Sequence, residues 1–323
     1  MKRIAVMTSG GDAPGMNAAI RAVVRTAMSF NMECYGIRQA YRGLLAGDFE
    51  KMEHREVSGI LQRGGTILQT AREPAFLETL GQKRGLRRLN EQDIDALVVI
   101  GGDGSLRGAS ALCKMGFPVI GIPGTIDNDI YGTDVSIGVD TALNTILESI
   151  DRIRDTASSH ERAFLIEAMG RNCGYLAMMS GILGGAELVH IPELPLTVEE
   201  IGKALEDAYL RGKNHAIAVV AEGANPRIHE IQQYVEQSKD IGFEVRMVIL
   251  GHTQRGGNPT AADRLLATRM GVRAVKMLME GISGVMVGLN GNEMEPIPLE
   301  EVTSKSKFLD LERWSEIAHI LSR

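Results

Sequence analysis

The sequence predicts an α/β fold of two lobes, each a largely parallel sheet sandwiched by helices. Three observations point there. Short aliphatic runs alternate with glycine-rich turns and stretches of helical periodicity, the pattern of strands joined by crossover helices. The chain has 323 residues, more than one ordinary core accommodates, so two domains are expected. Glycine is abundant, at 37 residues, while aromatics make up only 4%, which suits backbone drawn close to a ligand or to itself.

The elements follow in order. Ile4 to Met7 is the first apolar run, and Thr8 to Gly15 the turn after it. Met16, Ala19, Ile20, Val23, Val24 and Ala27 then mark one face of a helix, with the i, i+3, i+4, i+7 recurrence. A second unit runs from Ala96 to Ile100, through Gly101-Gly102-Asp103-Gly104-Ser105, into a helix reaching Met115. Val119 to Ile122 opens into Pro123-Gly124-Thr125-Ile126-Asp127-Asn128-Asp129, and the next helix carries Leu143, Ile146, Leu147, Ile150 and Ile153 on one side. In the second half, Ala163 to Ile166, Ile217 to Val220 and Val245 to Leu250 read as buried strands. They end at Glu167 to Gly174, Ala221 to Gly223 and Gly251 to Gly257. Ligands of such sheets bind beyond the carboxyl ends of the strands, so these polar clusters are the candidates for chemistry.

Charge and composition narrow the classes. Forty-one acidic against 35 basic side chains give a net charge of −6, which argues against nucleic acid as a partner. The longest aliphatic stretches, Ala96 to Ile100 and Ala216 to Ala221, fall far short of the roughly 20 residues of a membrane span, so no membrane partner is expected. No signal-peptide apolar region precedes Gly10. Cys34, Cys113 and Cys173 form no CxxC pair, so neither a zinc framework nor a dithiol motif is expected. They read as small buried hydrophobes in a reducing cytosol.

Three turns carry the chemistry. Gly10-Gly11-Asp12-Ala13-Pro14-Gly15 brings backbone N–H groups and a helix N-terminus towards an anion, although a tight turn alone also requires such glycines. In Gly101 to Ser105 the aspartate after the strand suits a magnesium ion bridging phosphates, or else caps the next helix. In Pro123 to Asp129 two carboxylates lie two residues apart. One can serve near a metal while the other takes a proton from an attacking hydroxyl, the division of labour phosphoryl transfer needs. Arg72, Arg162, Arg171, Arg246 and Arg255, in or beside loops, supply the forked donors that phosphate favours.

Together GGDAPGMN, GGDGS, PGTIDND, MGRNCG, AEG and LGHTQRGGNP resemble, in order and spacing, the bacterial ATP-dependent 6-phosphofructokinases from Lys2 to about Gly288. The resemblance implies two Rossmann-like lobes, residues 1-138 with 252-305 for ATP and 139-251 with 306-323 for the sugar phosphate. It implies transfer of the γ-phosphoryl group of MgATP to the 1-hydroxyl of fructose 6-phosphate, in the cytoplasm, by a homotetramer. Asp127 resembles the general base, and Asp103 the Mg2+ ligand, with Asp129 contributing through water. Gly11, Tyr41, Arg72, Glu73, Gly102, Gly104 and Ser105 match ATP-binding positions, Tyr41 packing near adenine. Thr125 and Arg171 would steady the transferring group. Thr125, Ile126, Asp127, Met169, Gly170, Arg171, Glu222, His252, Thr253, Gln254 and Arg255 match the sugar-phosphate site, with Arg162 and Arg246 reaching in from a neighbouring subunit.

Gly104 and Gly124 match the ATP users. The pyrophosphate-dependent relatives, the alternative reading, typically carry Asp and Lys there, which would intrude on the α-phosphate and adenosine. Arg21, Arg25, Arg154, Gly185, Glu187, Arg211, Lys213 and His215 match an effector site for ADP or phosphoenolpyruvate. There the chain departs from the family: His54, beside Arg55, stands where an arginine is common, and Gly59 where an aspartate is common. Leu77 replaces an arginine that some relatives place near ATP. Two further rivals remain. A kinase of NAD or lipids shares GGDG but leaves His252 and Arg255 unexplained. A non-catalytic nucleotide-responsive module conflicts with the retention of Asp103, Asp127 and Arg171.

Overall fold

The computed structural model describes residues 1–238 and 241–321. The chain begins β1 (Arg3–Ser9), α1 (Met16–Ser29), β2 (Glu33–Ile37), α2 (Ala40–Ala46), β3 (Phe49–Met52), α3 (Thr79–Glu91), β4 (Ala96–Gly101), α4 (Asp103–Lys114) and β5 (Val119–Pro123). It continues α5 (Val139–His160), β6 (Arg162–Ala168), α6 (Tyr175–Leu183), β7 (Leu188–His190), α7 (Val198–Leu210), β8 (Ala216–Ala221), α8 (Ile228–Gln237) and β9 (Glu244–Ile249). Then come α9 (Ala261–Met279), β10 (Val285–Asn290), β11 (Glu293–Pro298), α10 (Leu299–Ser304) and α11 (Leu311–Leu321). Two compact units result: Met1–Thr141 with Arg255–Lys307, and Ala142–Gln254 with the segment from Phe308.

The first unit is built on a sheet of order β11-β10-β5-β4-β1-β2-β3 among the described residues. Its central strands are parallel and aliphatic on both faces, as helix-covered strands must be. Both edges are antiparallel: β3 returns along β2, and β11 pairs back on β10. The second return is a hairpin whose Gly291, at φ 58°, supplies the left-handed backbone of the turn. The core on one face gathers Met7, Leu97, Val99, Leu106, Leu112 and Val119, all fully buried. α1 packs on α9 at a close approach, since a Cβ on Gly271 would lie 2.7 Å from the Ala22 methyl group. This explains why α1 buries Ala18 and Ala22 beyond its expected apolar face.

The second unit carries a parallel sheet of order β7-β8-β6-β9. β6 and β8 are buried, as expected. The run Val245 to Leu250 is not: among the described residues β9 is an edge strand that pairs with β6 alone, and Ile249 is 47% exposed. Of the cysteines, Cys34 is buried, whereas Cys113 and Cys173 are only half-buried.

Candidate functional site

In the first unit the parallel register aligns three strand ends. Ser9 pairs with Gly101, and Gly101 with Pro123, so the turns after β1, β4 and β5 emerge side by side. The strand order reverses between β1 and β4, where open α/β sheets form their crevice. Gly10 and Gly15 adopt left-handed φ of 86° and 109°, which fits the first turn to glycine. The Thr66–Arg72 stretch folds over this turn: Thr8 Oγ1 lies 2.7 Å from Thr66 Oγ1, and Thr70 donates to the Gly10 carbonyl at 2.7 Å. Arg72 is exposed on it, while Glu73 accepts from Ala75 N–H and caps the next turn.

Asp103 occupies the first turn of α4 without capping it; Gly102 takes the cap position. Its carboxylate instead receives the Arg107 guanidinium at 2.8 Å, which holds Arg107 above its usual range. This i,i+4 partner is readable from the sequence but escaped it. A Cβ on Gly104 would meet nothing within 4 Å, so the space there is open. One on Gly124 would press on Met16 and Ile100 at 3.2 and 3.3 Å. Ser105 is buried, and its carbonyl accepts from the Tyr41 hydroxyl at 2.7 Å. Tyr41 itself is 7% exposed, stacked on Phe76 at 4.0 Å, with Gly108 leaving room for its ring. It thus supports the first turn of α4 from the core.

After β5, Thr125 Oγ1 accepts from the Asp127 N–H at 3.2 Å, fixing a tight turn. Ile126 is fully buried and anchors the turn in the core. Asp127 is 2% exposed, and Arg255 Nη2 lies 3.6 Å from its Oδ1. Arg255 reaches there across the glycine turn: a Cβ on Gly11 would sit 2.6 Å from its Nη1. Gly11 therefore has a second use, admitting this guanidinium. Asn128, at φ 54°, turns the chain onward and receives the Ser136 N–H.

In the second unit, the ends of β6 and β8 are tied together. Glu222 accepts from the N–H groups of Gly170 and Arg171 at 3.2 and 2.6 Å. Gly170 and Arg171 both hold positive φ. Met169 donates to buried Gln254 at 3.1 Å, and Thr253 bonds the Leu250 carbonyl. His252 is exposed. Burial, with the nearby Glu222 charge, raises the Glu167 carboxyl above its ordinary range. Arg162 opens β6 directly after the Glu161 turn, beside a loop as expected, whereas the same expectation for Arg246 is corrected, since it sits within β9. Both pair with Glu244, Arg162 at 2.7 Å. Glu244 was not among the sequence candidates; its place two residues before Arg246 puts it on the same strand face.

The effector candidates form a group within each unit. In the first, Arg21 and Arg25 sit one helical turn apart on α1, and burial with Arg25's charge lowers Arg21. His54, Arg55 and Gly59 lie on an exposed turn, with open space where a Gly59 side chain would be. In the second, Lys213 meets Glu187 at 3.2 Å, and Arg154 meets His215 at 3.1 Å and bonds the Gly184 and Gly185 carbonyls. Burial and the Arg154 charge push His215 below its ordinary value. Arg211 is exposed beside them in the chain, and Leu77 is 83% exposed in the first unit.

Residues 3–278 match the family model described as phosphofructokinase. The ATP-dependent 6-phosphofructokinase of Shouchella clausii is 52% identical over 97% of this chain and 98% of its own length. That of Natranaerobius thermophilus is 50% identical over the full length of both. Among solved structures, Pichia pastoris phosphofructokinase in the T-state superposes with a TM-score of 0.89 at 37% identity, over 99% of this chain and 37% of the longer yeast chain. A pyrophosphate-dependent phosphofructokinase from Marinobacter aquaeolei, 21% identical, shares the fold with a TM-score of 0.85, over 99% of this chain and 91% of its own.

Proposed function

The chain belongs to the phosphofructokinase family, and we propose from that premise how its own residues divide the work. It transfers the γ-phosphoryl group of ATP to the 1-hydroxyl of fructose 6-phosphate, giving fructose 1,6-bisphosphate and ADP. In our reading Asp127 takes the proton of the attacking hydroxyl. The carrying observation is a carboxylate 2% exposed at the end of β5, beside the β4 turn and against a guanidinium. Burial shields the carboxylate from bulk water, and the guanidinium balances its charge in that buried place. Thr125 and Arg171 steady the phosphoryl group; Gly11, Arg72, Glu73 and the Gly102–Ser105 turn hold ATP, Tyr41 bracing that turn.

A divalent metal accompanies ATP in this chemistry; we take it to be Mg2+ at Asp103. The residues fit. Asp103 spends no oxygen on capping and already attracts a cation, Arg107. Among the described residues no cluster of three potential ligands exists, and Mg2+ needs only one or two carboxylates besides phosphates and water. When bound, the ion would draw charge from the phosphate oxygens; Asp129 would assist through water.

The sugar phosphate falls to Met169, Gly170, Arg171, Glu222, His252, Thr253, Gln254 and Arg255, with Arg162 and Arg246 contributed to a neighbour in a homotetramer. Glu244 leaves that arginine pair a net positive charge, suited to a phosphate. Arg246→Ala is expected to raise the KM for fructose 6-phosphate much more than that for ATP; an equal rise in both would count against the role. The chain is read as cytoplasmic, and no helix among the described residues is long and apolar enough to cross a membrane.

Effector control by ADP and phosphoenolpyruvate is part of the reading, weakened by His54 and Gly59. One experiment tests donor and control together: coupled assays with ATP and with pyrophosphate, each with added ADP or phosphoenolpyruvate. Turnover with ATP alone and modest effector responses are expected. Comparable use of pyrophosphate would overturn the donor reading, and strong responses would remove the case for weakened control.

A further inference from the structure

Asp263 is 1% exposed, in the first turn of α9, and has no part in the reaction as read so far. Its oxygens leave its own helix and serve another. Oδ1 accepts from Gly138 N–H at 2.8 Å; Oδ2 accepts from Thr141 N–H at 2.8 Å and from the Thr141 hydroxyl at 2.5 Å. Gly138 and Thr141 are the cap and third residues of α5, whose first N–H groups lack partners within the helix. Asp263 thus caps α5 from 122 or more residues away. Burial raises its carboxyl, while the bonds from Thr141 and Gly138 pull it down.

The segment just before α5 touches both phosphate-side turns. Ile137 accepts from Thr125 N–H at 3.1 Å and donates to the Pro123 carbonyl at 3.0 Å. Ser136 N–H reaches Asn128 at 3.2 Å, and Asn128 returns a bond to the Asp134 carbonyl. On the other side Gly138, at φ 105°, lies so close to Ala13 that its Cβ would come within 2.7 Å. A Cβ on Gly15 would come within 2.6 Å of Ile137. One short segment therefore sets the positions of residues 123–128 and 13–15, and one buried carboxylate sets the segment.

We propose that Asp263 is a positioning residue, whose grip on Gly138 and Thr141 holds the Thr125–Asn128 turn and the Ala13–Gly15 turn in register for phosphoryl transfer. The inference rests on the roles given to Thr125 and Asp127 above.

Asp263→Asn keeps the size of the side chain but turns an amide N–H2 towards a donor, so at least one bond is lost. Hydrogen exchange followed by mass spectrometry should speed up by about tenfold or more in peptides covering 123–129 and 136–141, the loss expected for bonds to a charged group. Peptides from β1 and β4 should keep wild-type rates. In the same protein kcat should fall about tenfold or more, with both KM values within about threefold, because the turns are misplaced rather than lost. Thr141→Val removes the hydroxyl that donates to Asp263 and accepts from Thr260 N–H at 3.1 Å, keeps both backbone bonds to Asp263, and should show the same local pattern more weakly; it decides the matter should Asp263→Asn fail to fold. Unchanged exchange at 123–129, or a uniform rise across the sheet, overturns the proposal. Local loosening at unaltered kcat would uphold the grip of Asp263 and instead refute the roles given to Thr125 and Asp127.

Discussion

Asp127→Ser is expected to lower kcat by roughly 10²–10⁴, the range for a lost general base. Serine keeps the turn feasible, since the bond to Thr125 Oγ1 comes from the backbone N–H of residue 127. What disappears is a carboxylate, 2% exposed and 3.6 Å from Arg255. The phosphate-side turns keep their shape, so both KM values should change far less than turnover. Steady-state kinetics check this directly; near-normal turnover in the variant would overturn the assignment.

The second large effect is expected at Arg255. At 3.6 Å, with an effective dielectric of about 20, its attraction for Asp127 is roughly 4–5 kcal/mol before desolvation is counted. Removing one member of a buried pair typically costs about 3–5 kcal/mol, because the other charge is left behind. That cost falls on stability; for turnover, loss of one preorganised electrostatic group typically costs about 10²–10³, so Arg255→Ala should reduce kcat/KM for fructose 6-phosphate by that order. Arg255→Lys should recover part of this but not all, since an ammonium group lacks the planar fork that spans Gly11 and Asp127. Parallel kinetics of the two variants test the point. A loss below about fivefold in the alanine variant would mean that Arg255 neither tunes Asp127 nor grips the sugar phosphate.

Much of the first unit was legible because its signals are local. The strands β1, β4 and β5 are continuous aliphatic runs, each followed by glycine and a small polar residue, and the register then brings their turns together. The edge strands were not legible in the same way. β3 is short and half charged, β11 carries two glutamates and two prolines, and what makes them strands is a neighbour to pair with. The same dependence misled the reading of Val245 to Leu250: an aliphatic run suggests burial, but only its position beside β6 decides that one face stays open.

The site divides along the same line. The chemistry-bearing residues announce themselves through motif and family resemblance. Their supports do not. Arg107 could have been found from the i,i+4 spacing to Asp103. Glu244 could have been suspected from its neighbours on one strand face. Asp263 carries no local signal, because its partners at Gly138 and Thr141 become neighbours only when α5 and α9 meet. That Arg255 crosses Gly11 to reach Asp127 depends in the same way on residues far apart in the chain.

The most direct test is a crystal structure of the enzyme with fructose 6-phosphate and a non-hydrolysable ATP analogue. An oxygen of Asp127 should lie within about 2.6–3.2 Å of the sugar 1-hydroxyl, or one water away. A different group occupying that position, with Asp127 beyond reach of the hydroxyl, would contradict the assignment of the base.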